Sequence, residues 1–424
     1  MSASMLAEDT AAFRFKLTDE QKRIVGTVRE LTQGEFKPRG LQYMDGTFPW
    51  ENIHRLAEIG VLGMAVPEAY GGSQLAVFDT ALVLEEIAKG CYVTAMAVLG
   101  EVGVQTRIIA TYAPEPIKQR LLPPVCAGDG ILAICMTEPH AGTDVANYAT
   151  NATVRGATVH LKGVKTLVSR AEEAIAFVVF TRVNGRPGRD GIGCVLVERG
   201  APGLALSGKF HTMGGEYLAE VRFEDCRLPA ENLLLGEGGF KQLISAFNTQ
   251  RCLNPSISLG LAEGAFDEAL RYARERSAFG RPIGEFQGMR WKLANMYGDI
   301  EAGRGLLYRA CASADPFPDP LMAAIAKVYC NEMSIRVTSD AIQVFGGYGF
   351  TRRVPGVAAL SRRPLRQPRW WHLRDVARPD RQAPDGRRHD RRDLRAVGLL
   401  VARMKRSEIR DCSPAATDER KVSI

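Results

Sequence analysis

The chain has no C-x-x-C pair, and its nine cysteines show no paired Cys/His spacing of the kind that holds zinc. A structural metal site and a disulfide framework are therefore not expected, and the thiols read as reduced and mostly buried. The first residues, Met1-Ser-Ala-Ser-Met-Leu-Ala-Glu-Asp-Thr10, lack a basic start followed by an apolar run. No uninterrupted apolar segment is long enough to span a bilayer, so the expectation is a cytoplasmic chain without a membrane span. His140, His160 and His211 lie in no mutual spacing that suggests a metal or a proton relay. A net charge of +7 would invite nucleic acid, but arginine beyond residue 351 outweighs that whole excess and leaves the rest of the chain net acidic.

What is present is a globular composition, with 46% hydrophobic and 24% charged residues over 424 positions, enough for two or three domains. Residues 17–130 read as helices: Leu17-Thr-Asp-Glu-Gln-Lys22 opens with a capping signal, and Asp79 to Lys89 is apolar on a helical period. From 131 to 238 the texture changes to short β-like runs such as Ala176-Phe-Val-Val-Phe-Thr181 and Gly193-Cys-Val-Leu-Val197. Residues 239–352 are helical again. The fold class expected is α+β: an N-terminal helical domain, a middle β-barrel-like or sandwich domain, and an incomplete C-terminal four-helix bundle. Beyond Arg353, Pro, Arg and Asp mix without an apolar period, which predicts a disordered arginine-rich tail.

One stretch organises the functional reading. In Ile131-Leu-Ala-Ile-Cys-Met-Thr-Glu-Pro-His-Ala-Gly-Thr-Asp144 an apolar strand stops at Thr137-Glu138-Pro139 and a turn of small residues follows. The hydroxyls of Thr137 and Thr143 and uncluttered backbone N–H groups can hold a flat polar ring, although the same pattern also describes an ordinary surface turn. Five further motifs follow in order: Gly163-Val-Lys-Thr-Leu-Val-Ser169; Val221 to Pro229 with Asn232; Arg274-Glu-Arg-Ser-Ala-Phe-Gly-Arg-Pro-Ile283; Gln287 ahead of Leu293-Ala-Asn-Met296; and Gln343-Val-Phe-Gly-Gly-Tyr-Gly-Phe350. Six motifs in this order resemble the acyl-CoA dehydrogenase family over about residues 17–352.

The resemblance implies FAD between the β domain and the C-terminal bundle, in a homo-oligomer, tetramer or dimer, that oxidises an acyl-CoA thioester in fatty acid metabolism and passes electrons to an electron-transfer flavoprotein. By motif position Thr137, Thr143 and Ser169 would touch the flavin or the phosphates. Arg276, Phe279, Gln287, Gln343, Gly346 and Gly347 would hold the pyrophosphate and adenosine of FAD in a neighbouring subunit, and Arg251 would lie near coenzyme A. Taken alone, Arg276 reads more simply as a solvated helix charge and Phe279 as core, while Arg251 reads equally as a surface arginine.

Two departures from the family matter. Its usual glutamate base, before a Gly-Thr in the C-terminal segment, is absent, and Gln250, where a few members carry the base instead, is an amide that cannot take a proton. Leu167 stands where the family usually has a large aromatic. The catalytic residues are therefore unknown from sequence. The codons that can encode the stretch ending at Pro364 and Trp370–Asp375, read one base later, can spell Leu-Tyr-Arg-Asp-Ala and Gly-Gly-Thr-Ser-Glu, similar to the family's own ending. A one-base frame change between about Gly349 and Val357 is the corresponding hypothesis. Alternatives are a weakly active remnant without the terminal helix and base, or a related flavin enoyl-CoA reductase or monooxygenase. A nucleic-acid-binding tail around Trp370-Trp371 is disfavoured, because it lacks an ordered groove.

Overall fold

The computed structural model describes residues 16–212 and 214–351; the arginine-rich segment and Trp370-Trp371 lie outside them. Helices α1 (Asp19–Leu31), α2 (Trp50–Glu58), α3 (Val77–Gly90), α4 (Tyr92–Glu101), α5 (Val104–Tyr112) and α6 (Glu115–Ala127) build the N-terminal part. The capping signal is realised at α1: Thr18 Oγ1 accepts the Gln21 N–H at 3.1 Å, and the Gln21 side chain accepts the Thr18 N–H at 3.0 Å. Tyr92–Tyr112, covering α4 and α5, is long and apolar enough by composition to cross a membrane. Its window is 83% buried inside the protein, and the chain breaks between the two helices at Val102-Gly103, so the stretch is packed core.

The middle region holds β1 (Ile131–Cys135), β2 (Asn151–Arg155), β3 (Thr158–Ser169), β4 (Ala174–Val183), β5 (Ile192–Glu198), β6 (Leu204–His211), β7 (Tyr217–Pro229) and β8 (Leu233–Leu235). They form one sheet in the order β6-β7-β3-β2-β4-β5-β8, with β1 parallel to β4. Side chains from both ends of that order, Val159, Leu161, Val221 and Phe223 from one and Phe177, Val179, Val195 and Val197 from the other, share a single core. The sheet therefore folds over on itself, as the sandwich or barrel expectation requires. Strand β7 shows how the pattern is kept: Ala219, Val221 and Phe223 alternate inward, and Asp225 at φ +53° shifts the phase so that Cys226 and Leu228 face in again.

Three long helices follow: α7 (Phe240–Glu275), α8 (Gln287–Ala312) and α9 (Pro320–Phe345), with a short hairpin, β9 (Ser277–Ala278) and β10 (Arg281–Pro282), between the first two. Helix α7 carries the contact with the N-terminal helices. At Gly260 a Cβ would sit 2.1 Å from the Glu85 carbonyl oxygen, and at Gly264 2.4 Å from that of Lys89, so these glycines let α3 lie directly on α7. Charge is matched along the same seam. Arg304 of α8 meets Glu85 at 3.1 Å and also Glu263, Lys89 meets Glu263 at 2.8 Å and Glu86 at 3.0 Å, and the Tyr308 hydroxyl donates to Glu85 at 2.9 Å.

Gly260→Ala should therefore lower stability by about 1–3 kcal/mol, since backbone must move to admit the methyl. Gly26→Ala, inside α1 with no described residue within 4 Å of the new methyl, should raise it by about 1 kcal/mol. Urea unfolding of both variants checks the pair, and equal effects would contradict the close-approach argument.

Candidate functional site

The polar corner is built where β1 ends. The Thr166 N–H donates to the Thr137 carbonyl at 2.8 Å, which places the β1 terminus beside the last residues of β3. Glu138 and Ala141 exchange backbone hydrogen bonds at 3.0 and 3.1 Å, closing the turn that carries Thr143 to the surface. Thr137 and Ser169 are half-buried at the ends of their strands, and Leu167 between Thr166 and Ser169 is 40% exposed at φ +56°. A bulky residue held in left-handed backbone is uncommon and concentrates at functional sites.

Beneath this corner lies an ion pair that sequence reasoning missed. Lys165 Nζ, fully buried, meets Glu138 Oε1 at 2.8 Å, donates to the Met136 carbonyl at 2.9 Å and sits 3.6 Å over the Tyr148 ring. Glu138 also accepts the Ala149 N–H at 2.7 Å and the Thr150 N–H at 3.2 Å. Burial pulls the Lys165 pKa down to about 8 against the pull of Glu138, so the ammonium is still charged at neutral pH. Burial works to raise the Glu138 carboxyl, but Lys165 and the amides outweigh it and hold it below its ordinary value. Both residues lie in the quoted motifs; their pairing across 27 positions leaves no local signal.

Beside the other end of the corner, Arg170 follows Ser169 at φ +59° and reaches into α4. Its Nη1 donates to the Ala97 carbonyl at 2.8 Å and meets Glu101 at 3.3 Å. Gly100 makes room, since a Cβ there would lie 1.6 Å from that nitrogen. Glu101 accepts the Leu132 N–H at 3.1 Å, and complete burial pushes its pKa up to about 8 despite Arg170.

The remaining sequence-predicted residues lie elsewhere. Arg276, Gly346 and Gly347 line one groove of about 440 Å³ with Tyr272, Phe345 and Tyr348. Among the described residues nothing stands within 4 Å of a Cβ built on Gly346 or Gly347, so backbone is open there. A forked guanidinium beside open backbone is a donor set that fits a pyrophosphate. Phe279 is not core: at the tip of the β9–β10 hairpin it is 96% exposed at φ +52°. Gln287, which opens α8, and Gln343 near the end of α9 are exposed, and neither lines the groove. Arg251 is not on the surface. It is 6% exposed on α7, and its Nη1 donates to Asn248 at 2.8 Å. The structure thus gathers Thr137 and Ser169 at one place and Arg276, Gly346 and Gly347 at another.

Lys165→Met should cost about 3–5 kcal/mol by stranding the buried Glu138 carboxylate, and adding Glu138→Gln, which keeps an oxygen for the two amides, should recover part of that. Denaturant midpoints measure both. Glu101 makes a separate prediction about pH. Between about pH 4.5 and 8 the folded chain keeps a proton on Glu101 that the unfolded chain has lost, so stability falls with rising pH by up to about 1.4 kcal/mol per unit. Glu101→Gln should flatten that part of the stability curve, and an unchanged slope would contradict the assignment.

The comparisons with known proteins agree with this geometry. Three domain profiles match in sequence order: acyl-CoA dehydrogenase, N-terminal domain, over residues 18–129; its middle domain over 133–226; and its C-terminal domain over 237–367. The chain is 37% identical over 355 residues to 3-sulfinopropanoyl-CoA desulfinase of Paraburkholderia xenovorans, covering 80% of this chain and 89% of that one. It is 35% identical over 350 residues to benzylmalonyl-CoA dehydrogenase of Aromatoleum aromaticum, covering 80% and 91%. The solved butyryl-CoA dehydrogenase of Megasphaera elsdenii superposes with a TM-score of 0.77 at 32% identity, covering 82% of this chain and 94% of that one. With all three domains matched and the fold shared, the chain belongs to the acyl-CoA dehydrogenase family of FAD-dependent oxidoreductases.

Proposed function

We propose that the chain oxidises the Cα–Cβ bond of an acyl-CoA thioester in an assembly of identical copies, with an electron-transfer flavoprotein as the acceptor, and that it works in the cytoplasm. The observation that carries this reading is the separation of the two donor sets. A flavin corner at Thr137, Thr143 and Ser169, and a pyrophosphate groove at Arg276, Gly346 and Gly347, suit one FAD shared between neighbouring copies. Exposed aromatics support such a neighbour: Phe279 at the hairpin tip, with Trp291 66% and Tyr297 53% exposed on α8, offer apolar area that a partner copy would cover. Phe279, Gln287 and Gln343 would then reach the neighbour's adenosine.

FAD, when bound, supplies the two-electron acceptor for a hydride leaving Cβ. The chain's own residues supply placement: Thr137 and Ser169 orient the ring edge, and the Glu138–Lys165 pair keeps their backbone fixed. Gln250 can hydrogen-bond a thioester but cannot remove its α-proton. Glu138 is committed to Lys165, and the usual glutamate position falls beyond residue 351. The two relatives described above act, by their names, on thioesters with a second acidic group, so acyl specificity is an open property of the pocket.

Arg276→Gln should weaken FAD binding by about tenfold or more, the worth of a charge-assisted hydrogen bond. Flavin absorbance after gel filtration, together with sedimentation, reads retention and assembly in one experiment. A chain that stays monomeric yet retains FAD fully in the Gln variant would overturn the shared-cofactor arrangement.

A further inference from the structure

Arg107, on α5, is half-buried, and the Nε and Nη2 of its guanidinium are closed off from solvent without a hydrogen-bond partner. Burial is the cause that lowers its pKa, to about 10, and no carboxylate among the described residues pairs with it, so the group is charged at neutral pH. Burying a cation without a partner is among the costliest things a fold can do. Three other shielded cations are matched by carboxylates: Lys165 by Glu138, Lys89 by Glu86 and Glu263, Arg304 by Glu85 and Glu263.

The surroundings of Arg107 are unsatisfied in the same way. Gly103, one turn earlier on the same face of α5, lies against α7, where a Cβ would come 2.8 Å from Gln250 Oε1. That amide oxygen is buried without a partner, as is Asn254 Oδ1 one turn further on the same face of α7. Carboxamides can turn to offer either end, so the two helices present one charged fork and two neutral donors to a group that the chain itself does not provide. A single guanidinium matches a monoanion held bidentately, and the shielding of Nε and Nη2 suits a weakly hydrated acid better than a phosphate dianion. Two neighbours fix where this happens. Gln250 marks the position that carries the base in some relatives, and Glu101 and Arg170, two residues before Gly103 and one after Ser169, border the flavin corner.

We propose that Arg107, assisted by Gln250 and Asn254, takes an acidic group borne at the far end of the acyl chain, a carboxylate or sulfinate, and so selects acyl-CoA thioesters that carry a second acid. This rests on the acyl-CoA reading above and specifies its substrate class.

The test uses the full-length, FAD-loaded protein and calorimetric titration with glutaryl-CoA, with pentanoyl-CoA as a neutral thioester of equal chain length, and with CoA alone. Glutaryl-CoA should bind about tenfold or more tightly than pentanoyl-CoA. Arg107→Met should bring glutaryl-CoA down to the level of pentanoyl-CoA, and Arg107→Lys should retain part of the preference. In ligand-free protein Arg107→Met should raise the melting temperature, because an unmatched charge is removed; a lower one would show a structural role and overturn the proposal. Equal affinity of the wild type for the two thioesters overturns it while leaving the acyl-CoA reading intact. If Arg107→Met weakens CoA alone as much as glutaryl-CoA, the anion held is a CoA phosphate and the proposal falls. If none of the three probes binds, the acyl-CoA reading falls with it.

Discussion

Everything in the helical part depends on how closely α3 can lie on α7. Gly260 and Gly264 remove the side chains that would hold the two backbones apart, and the carbonyls of Glu85 and Lys89 occupy the space gained. That approach buries Glu85, Glu86 and Lys89, and with no water to solvate them their charges must be met by Arg29, Glu263 and Arg304. The ion network is thus a consequence of the close packing, and Arg304 and Tyr308 carry it into α8. With α3 fixed, α4 and α5 are laid across the start of β1, where Glu101 receives the Leu132 N–H, and against α7, where Gly103 meets Gln250.

On the proposed FAD reading, the β region solves a different problem, that of offering backbone polar groups to a ligand without letting the loop relax. A turn such as Thr137–Asp144 has few side chains to hold it. Lys165 does so from below, tying the Met136 carbonyl and the Glu138 carboxylate to β3, while Glu138 binds the amides of Ala149 and Thr150. Every polar group of that ion pair is used inward. The hydroxyls of Thr137 and Thr143 take no part in it, which is the division of labour a cofactor corner needs.

Much of this could be read from the chain. The cap at Thr18, the change from helical to strand period near Ile131, the three long C-terminal helices and the six motifs all have local signals, because propensity, capping and glycine positions act over a few residues. Phe279 shows where local reading stops: composition makes it core, whereas the hairpin holds it almost wholly exposed. Arg251 fails in the opposite sense, a charged helix residue that tertiary packing buries. The pairs Glu138–Lys165 and Glu101–Arg170 join positions 27 and 69 residues apart, and nothing in either neighbourhood announces the partner. Tyr92–Tyr112 is ambiguous on composition alone, since a membrane span and a core helix look alike until the neighbours are known.

The distribution of charge gives the last step. At Lys89, Lys165 and Arg304 the fold meets a shielded cation with carboxylates, and Arg304 has three within 4 Å. Arg107 has none among the described residues, and the stretch of α7 that meets its helix at Gly103 carries the unpartnered amides of Gln250 and Asn254. A net-acidic body has carboxylates to spare, so shortage does not explain the contrast. An unmatched guanidinium lowers stability for as long as it stays alone, and it is tolerated when the missing anion arrives from outside and the binding energy offsets the cost. On that argument the interface of α5 and α7 is half of an ion pair, and a group outside the chain carries the other half.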